Sequence, residues 1–324
     1  MFSRKLVQPD TDLTQADFEL RSVRDRAVTG DWVAAQSLMA ATGHDWELRG
    51  RRLAVLSAAV GYSPQWLDAW EAAAPNDPTV AILRADALIA QAGLARGDLS
   101  AQNTTREQFR RFDRLSNLAA EAADRAVELN PLDPTPWVIM MTSMLADGRH
   151  RHDEFVAAMN EVIKRDPFNV DAHLMSVTFY CQKWYGSHDQ MFAAARWPAL
   201  APAGSPVVLL PLLAHFEYAL REFGFESRES SLAAKVAYFR RPDVKWEIDA
   251  CAAKWQAAGE PRLSGRGIML RHWLALANYL ADRDRNGTRM LLQQIGPYLG
   301  NVPAYGYFWM QQIEGFDAVR HWAR

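Results

Sequence analysis

Three places in this 324-residue chain carry residues that could do chemistry. "QKWYGSHDQMFAAAR" (182–196) sets His188 beside Asp189, the pair a general base and its orienting carboxylate would need. "HRHDE" (150–154) sets His150 and His152 before two acids, residue types that serve as metal ligands. His215 and Glu217 lie two residues apart in an apolar run. Each has a plainer reading. Adjacent residues on a helix point about 100° apart, so His188 and Asp189 do not face each other. Two histidines in a turn need a third ligand and a rigid frame to hold a metal. His215 and Glu217 face different ways on a helix, which favours a core or groove histidine over a general base. Cys181 and Cys251 have no metal-type spacing and form no disulfide framework. No phosphate-loop, dinucleotide, zinc-protease or esterase motif occurs. The residues therefore give no catalytic group, no metal ligand and no cofactor.

The elements that would position these residues are helices. In "HDEFVAAMNEVIKR" (152–165), Phe155, Val156, Met159, Val162 and Ile163 make one apolar stripe, with acids at its start and bases at its end. Ser187 and Gln190 have the S-x-x-Q spacing of a capping box, just ahead of Met191, Phe192 and Ala195. Gly186 breaks the preceding helix, Asp189 lies in the first turn, and Pro198 closes the new helix. His188 alone has no structural role in this reading. Period-two alternation is absent, and "PVVLLPLL" (206–213) is the one ambiguous run.

The segments starting at 129, 165 and 200 repeat one pattern, with first prolines at 131, 167 and 202, a period of 36 and then 35. Each proline ends a helix and a short turn opens the next. A weaker copy at 72–88 matches Asp77-Pro78-Thr79 to Asp133-Pro134-Thr135. Helix starts are expected near Pro134, Val170 and Pro206, with second-helix starts near His152 and Ser187.

Composition narrows the class. The chain is 49% hydrophobic and 23% charged, ordinary for a globular protein, and its net charge of −2 gives no reason to expect nucleic acid or an anionic membrane. The basic runs "ELRGRRL" (47–53) and "TREQFRRFDRL" (105–115) interleave with acids and read as solvated helix faces. No apolar run approaches the roughly 20 residues of a membrane span. The start has no secretory apolar stretch, so a cytoplasmic location is expected. Arginine outnumbers lysine thirty to six, a coding bias of GC-rich bacterial genomes. Six of the twelve tryptophans, Trp66, Trp70, Trp246, Trp255, Trp309 and Trp322, fall on helical stripes and read as packing, a sugar-binding platform being the alternative.

At these residues the chain resembles the tetratricopeptide repeat superfamily. Trp137 and Trp273 stand where its first helix carries tryptophan and Ala277 where it carries a small residue; "LNP" (129–131) and "RDP" (165–167) stand where its units close. The resemblance is carried by 117–197, less fully by 72–93 and 200–222. The segment 183–196 is also similar to bacterial proteins with repeats of this kind, which brings no activity with it. His173 departs from the pattern, 148–151 lengthens a turn, and 94–116 looks like an insertion. The resemblance implies an all-α, right-handed solenoid of antiparallel helical hairpins. It would comprise N-terminal hairpins over 1–75, core repeats over 76–222 and C-terminal repeats with a cap over 223–324. It also implies a concave groove holding a peptide or protein partner. Carried over position by position, the groove residues are Asp86, Thr142, Asp171, Thr178, Gln182, Glu217, Tyr218 and Asn278. The lysine-rich carboxylate clamp of chaperone-binding members is missing. The expected function is non-catalytic binding or scaffolding. An enzyme on an α/α toroid, such as a glycan-processing hydrolase or lyase, remains open, as does an accessory protein of a bacterial biosynthetic pathway.

Overall fold

Asp-Pro-Thr occurs at 77–79 and again at 133–135, and both copies start a helix by the same device. The computed structural model describes residues 7–97, 103–146, 150–224, 228–259, 262–263 and 265–324. Asp77 Oδ1 accepts from the Thr79 amide and Asp133 Oδ1 from the Thr135 amide, each at 2.9 Å. The proline between them lacks an N–H and is pre-set to a helical φ, which suits a first turn. Every regular element among the described residues is helical, apart from one isolated parallel bridge between Asp10 and Tyr298. No helix of the described residues is long and apolar enough to cross a membrane.

The chain divides into two compact units, residues 17–175 and residues 1–16 together with 176–324. In the first, α1 (Phe18–Val28), α2 (Trp32–Thr42) and α3 (Trp46–Val60) are each capped by an aspartate. Asp17, Asp31 and Asp45 accept from the backbone amides of Leu20, Ala34 and Leu48. Next come α4 (Gln65–Ala73), α5 (Pro78–Arg96) and α6 (Arg106–Leu129), the last opened by a Thr105–Gln108 capping box. The described part of 94–116 is thus the end of α5 and the first half of α6, which pack on each other; residues 98–102 lie outside the described residues. Then follow α7 (Thr135–Ser143) and α8 (His152–Arg165); of the lengthened turn between them, 147–149 also lie outside.

Trp66 and Trp70 are buried with Leu20, Leu56 and Phe155. The basic run at 47–53 is not a solvated face. Arg49 Nε donates to Asp133 at 2.7 Å, its Nη2 to Thr79 and its Nη1 to the Met39 carbonyl, with the two charged side chains 7% and 0% exposed. Arg52 is likewise engaged at all three nitrogens, by Asp17, Thr42 and Glu19. Both arginines sit on the inward side of α3, where unpaired charge would be costly, so each acid was placed by the fold rather than by sequence proximity.

Helix α9 (Val170–Phe179) crosses the boundary between the units. It stops well before Gly186, because the chain folds back on itself there. A Cβ at Gly186 would sit 2.0 Å from the Tyr180 carbonyl oxygen, an approach only glycine permits. Helix α10 (His188–Arg196) follows, with Ser187 Oγ accepting from the Gln190 amide at 3.2 Å. "PVVLLPLL" forms a short 3₁₀ turn at Pro206–Leu209 and runs into α11 (Leu210–Phe223). The remaining helices are α12 (Arg228–Phe239), α13 (Pro242–Gln256), α14 (Gly267–Leu280), α15 (Arg285–Ile295), α16 (Pro303–Gly306) and α17 (Gln312–Trp322). Their core holds Trp255, Phe216, Phe239, Tyr305 and Phe316. Residues 7–16 clip onto the last helices: the Asp10 amide donates to the Pro297 carbonyl, and the Asp10 carbonyl accepts from the Leu299 and Gly300 amides.

Candidate functional site

Helix spacing builds one concentrated cluster of chemistry in the unit containing 176–324. On α10, Phe192 and Arg196 are four residues apart and share a face; on α11, His215 and Tyr218 are three apart and do likewise. Tyr238 closes α12, Arg241 caps α13, and Asp243 with Glu247 project from the first turns of α13. These side chains and Trp246 line a cavity of about 500 Å³.

The buried stripe of α13 is Val244, Ile248, Cys251 and Trp255. Trp246 lies two residues from Val244, about 200° around the helix, and so points away from it. It is 72% exposed, unlike Trp66, Trp70 and Trp255, so the packing reading does not hold for this tryptophan. It also borders a second cavity of about 180 Å³, walled by Pro198, Val207, Val208 and Pro211.

Inside the larger cavity a polar chain runs from wall to mouth. His215 Nδ1 lies 2.6 Å from the Tyr238 hydroxyl and Nε2 lies 3.0 Å from Glu247 Oε2. Arg196 grips both oxygens of the same carboxylate, Nε to Oε1 at 2.7 Å and Nη2 to Oε2 at 2.6 Å. Burial alone would raise the pKa of Glu247, but hydrogen bonds and charge from Arg196 and His215 outweigh it and hold the group at about 2. Burial pushes the Tyr238 phenol well up and the neighbouring Cys251 thiol up to about 12. At the mouth, Arg241 pairs with Asp243 through Nε and Nη2, which lowers the Asp243 pKa.

The guanidiniums also lie over rings, Arg196 4.6 Å from the Phe192 centroid and Arg241 5.5 Å from that of Tyr238. Tyr218 and Tyr238 stack at 4.8 Å and 24°. Among the described residues, no three His, Cys, Asp or Glu side chains converge as they would to hold a metal ion.

The structure distributes the eight residues assigned to a groove. Tyr218 lines the large cavity. Gln182 and Glu217 border a separate cavity of about 90 Å³, where Lys183 Nζ reaches both Glu217 oxygens and the Tyr307 hydroxyl donates to Oε1 at 2.6 Å. Gln182 is not on a first helix: it lies in the turn beyond Phe179, with Oε1 3.4 Å from Arg221 Nε. Thr178 lies near the end of α9 and is half-buried. Asn278 is 1% exposed, its amide donating to Thr288 and its Oδ1 accepting from Arg283. The other three belong to the unit 17–175. Asp86 accepts from Ser57 at 2.6 Å, and Thr142 donates to the Val138 carbonyl of its own helix. Asp171 lies so close to α3 that a Cβ at Gly50 would sit 2.7 Å from its Oδ2.

His188 does have a partner. Its Nε2 is 2.8 Å from Glu222 and its ring contacts that of Tyr218 at 4.6 Å. His215 is 3% exposed and lines the large cavity, and its carboxylate partner is Glu247, 32 residues along. That pairing has no local signature. Trp246 had one, since the phase of the α13 stripe separates it from Trp255. No family model matches this chain, and no curated protein and no solved structure matches it.

Proposed function

We propose that this chain is a binding protein, built on helical hairpins of tetratricopeptide-like type stacked as a right-handed solenoid, that holds a peptide or protein segment in the cavity beneath Trp246. The hairpin reading draws support from the two Asp-Pro-Thr starts and from the consecutive helices that pack on one another. The binding reading rests on one observation: an exposed tryptophan stands at the mouth of a cavity walled by three further aromatic rings and two half-exposed arginines. Tryptophan, tyrosine and arginine are the residues that anchor interfaces, and about 300–1,000 Å³ is the size range of ligand sites. A cytoplasmic location agrees with the two free, buried thiols.

Asp243 and Glu247 share the cavity, as the carboxylates of a glycan-processing enzyme would. Such an enzyme needs one carboxyl raised in pKa to donate a proton. Both carboxylates here are lowered by guanidinium partners, which favours binding over hydrolysis.

Selection from a displayed library of random peptides tests the proposal. Wild-type protein is expected to enrich a defined peptide set that the Trp246→Ala protein fails to enrich. Absence of enrichment, or equal enrichment by both proteins, would overturn it.

A further inference from the structure

Most polar atoms lining the large cavity are already engaged, which narrows what it can hold. The carboxylate oxygens are each engaged at least once, those of Glu247 by Arg196 and His215 and those of Asp243 by Arg241, and His215 Nδ1 is paired with the Tyr238 hydroxyl. Each guanidinium uses Nε and Nη2 for its carboxylate, and among the described residues nothing accepts from Nη1 of Arg196 or Arg241. The Trp246 indole N–H is likewise without an acceptor there, on a side chain largely open to solvent. Apart from the Tyr218 hydroxyl, which can donate or accept, what remains is a set of N–H donors. The two guanidiniums are matched by two carboxylates, and the walls between are aromatic faces.

We infer that the cavity takes a proline-rich segment in the polyproline II conformation, an inference that rests on the peptide-binding reading above. Proline amides have no N–H, so such a segment presents carbonyl acceptors alone, matched to a lining of donors. Its rings pack on aromatic faces, and its extended helix is formed before binding, which lowers the ordering cost. A polyanionic peptide meets two carboxylates beside the two guanidiniums, which are already paired with them. A sugar brings hydroxyl donors that need acceptors, and those are engaged. A peptide with ordinary amides brings N–H groups that would be left unpaired on the cavity side.

The test is fluorescence anisotropy with labelled decaproline, using a labelled glycine–serine decapeptide and labelled decaglutamate for comparison. Decaproline is expected to bind the full chain at least about tenfold more tightly than either, and Trp246→Ala to weaken it by at least about tenfold. Arg241→Gln, which removes one donor edge at an exposed position, should weaken it severalfold. Circular dichroism of both variants checks that the fold is intact. Equal binding of the glycine–serine peptide, tighter binding of decaglutamate, or no binding of decaproline would each overturn the inference. If decaproline fails while the random library still yields Trp246-dependent peptides, the proline assignment falls and the peptide-binding reading stands. If both fail, the cavity is not a peptide site.

Discussion

Arg49–Asp133 and Arg196–Glu247 are both guanidinium–carboxylate pairs, held in different surroundings in the two units. In residues 17–175 the pair is 7% and 0% exposed, and a hydroxyl and a carbonyl take up the remaining nitrogens of Arg49. In the other unit the pair is 51% and 15% exposed, its carboxylate is shared with a buried histidine, and Arg196 lines the cavity with no acceptor at Nη1 among the described residues. A guanidinium fully enclosed by acceptors can only hold the fold together. One held along a single edge is fixed in place yet still able to bind, and fixed donors lose little entropy when a ligand arrives.

The largest expected effect comes from breaking the enclosed pair. Asp133→Ala leaves Arg49 charged, buried and without its carboxylate, and should cost about 3–5 kcal/mol in urea unfolding. A loss under about 1 kcal/mol would show that Arg49 is not dependent on enclosure, and the contrast would collapse.

Next is Glu247→Gln. The folded carboxyl titrates at about 2 against an ordinary value of 4.5. Its stabilisation is therefore fully present above the unfolded value and disappears as pH falls through the folded one. Wild type should exceed the variant by on the order of 2 kcal/mol at neutral pH. Thermal melts should converge between about pH 4.5 and pH 2. A gap that persists at the acid end would assign the effect to packing.

Ser187→Ala removes the cap of the helix that carries Phe192 and Arg196 to the cavity. It should cost roughly 0.5–2 kcal/mol, read by chemical denaturation. Smallest of all is Trp246→Ala, expected to change stability by no more than about 0.5 kcal/mol because the side chain is exposed. Its effect should appear in ligand binding and not in the melting curve, the reverse of Asp133→Ala. A drop of several degrees in its melting temperature would return Trp246 to the core-packing role.

Local signals are legible in the sequence. The helix starts at Thr135, His152 and Val170, and the Ser187 cap, follow from residues within a turn or two of each other. Signals that depend on distant partners could not be read. The acids next to Arg49 and Arg52 in sequence suggest a solvated face, whereas the acids that hold the two arginines are 84, 35 and 33 residues away along the chain. The family's position-by-position spacing puts Gln182 on a first helix, whereas the tight fold at Gly186 ends α9 at Phe179. The cavity itself draws on four helices whose mutual placement no single-helix periodicity encodes. Trp246 is the exception, since its phase on α13 was available and separates it from the buried stripe.

The clip between residues 7–16 and the last helices has a consequence in time. Gln15 Nε2 donates to the Leu299 carbonyl, so the two partners are 284 residues apart in the order of synthesis. At about 5–20 residues per second, on the order of 15–60 s passes between making one and making the other. Residues 17–175 are contiguous and can complete their contacts within that interval. The segment before them waits, uncovered, until residues near 300 emerge, and during that wait a protease or a chaperone can reach it.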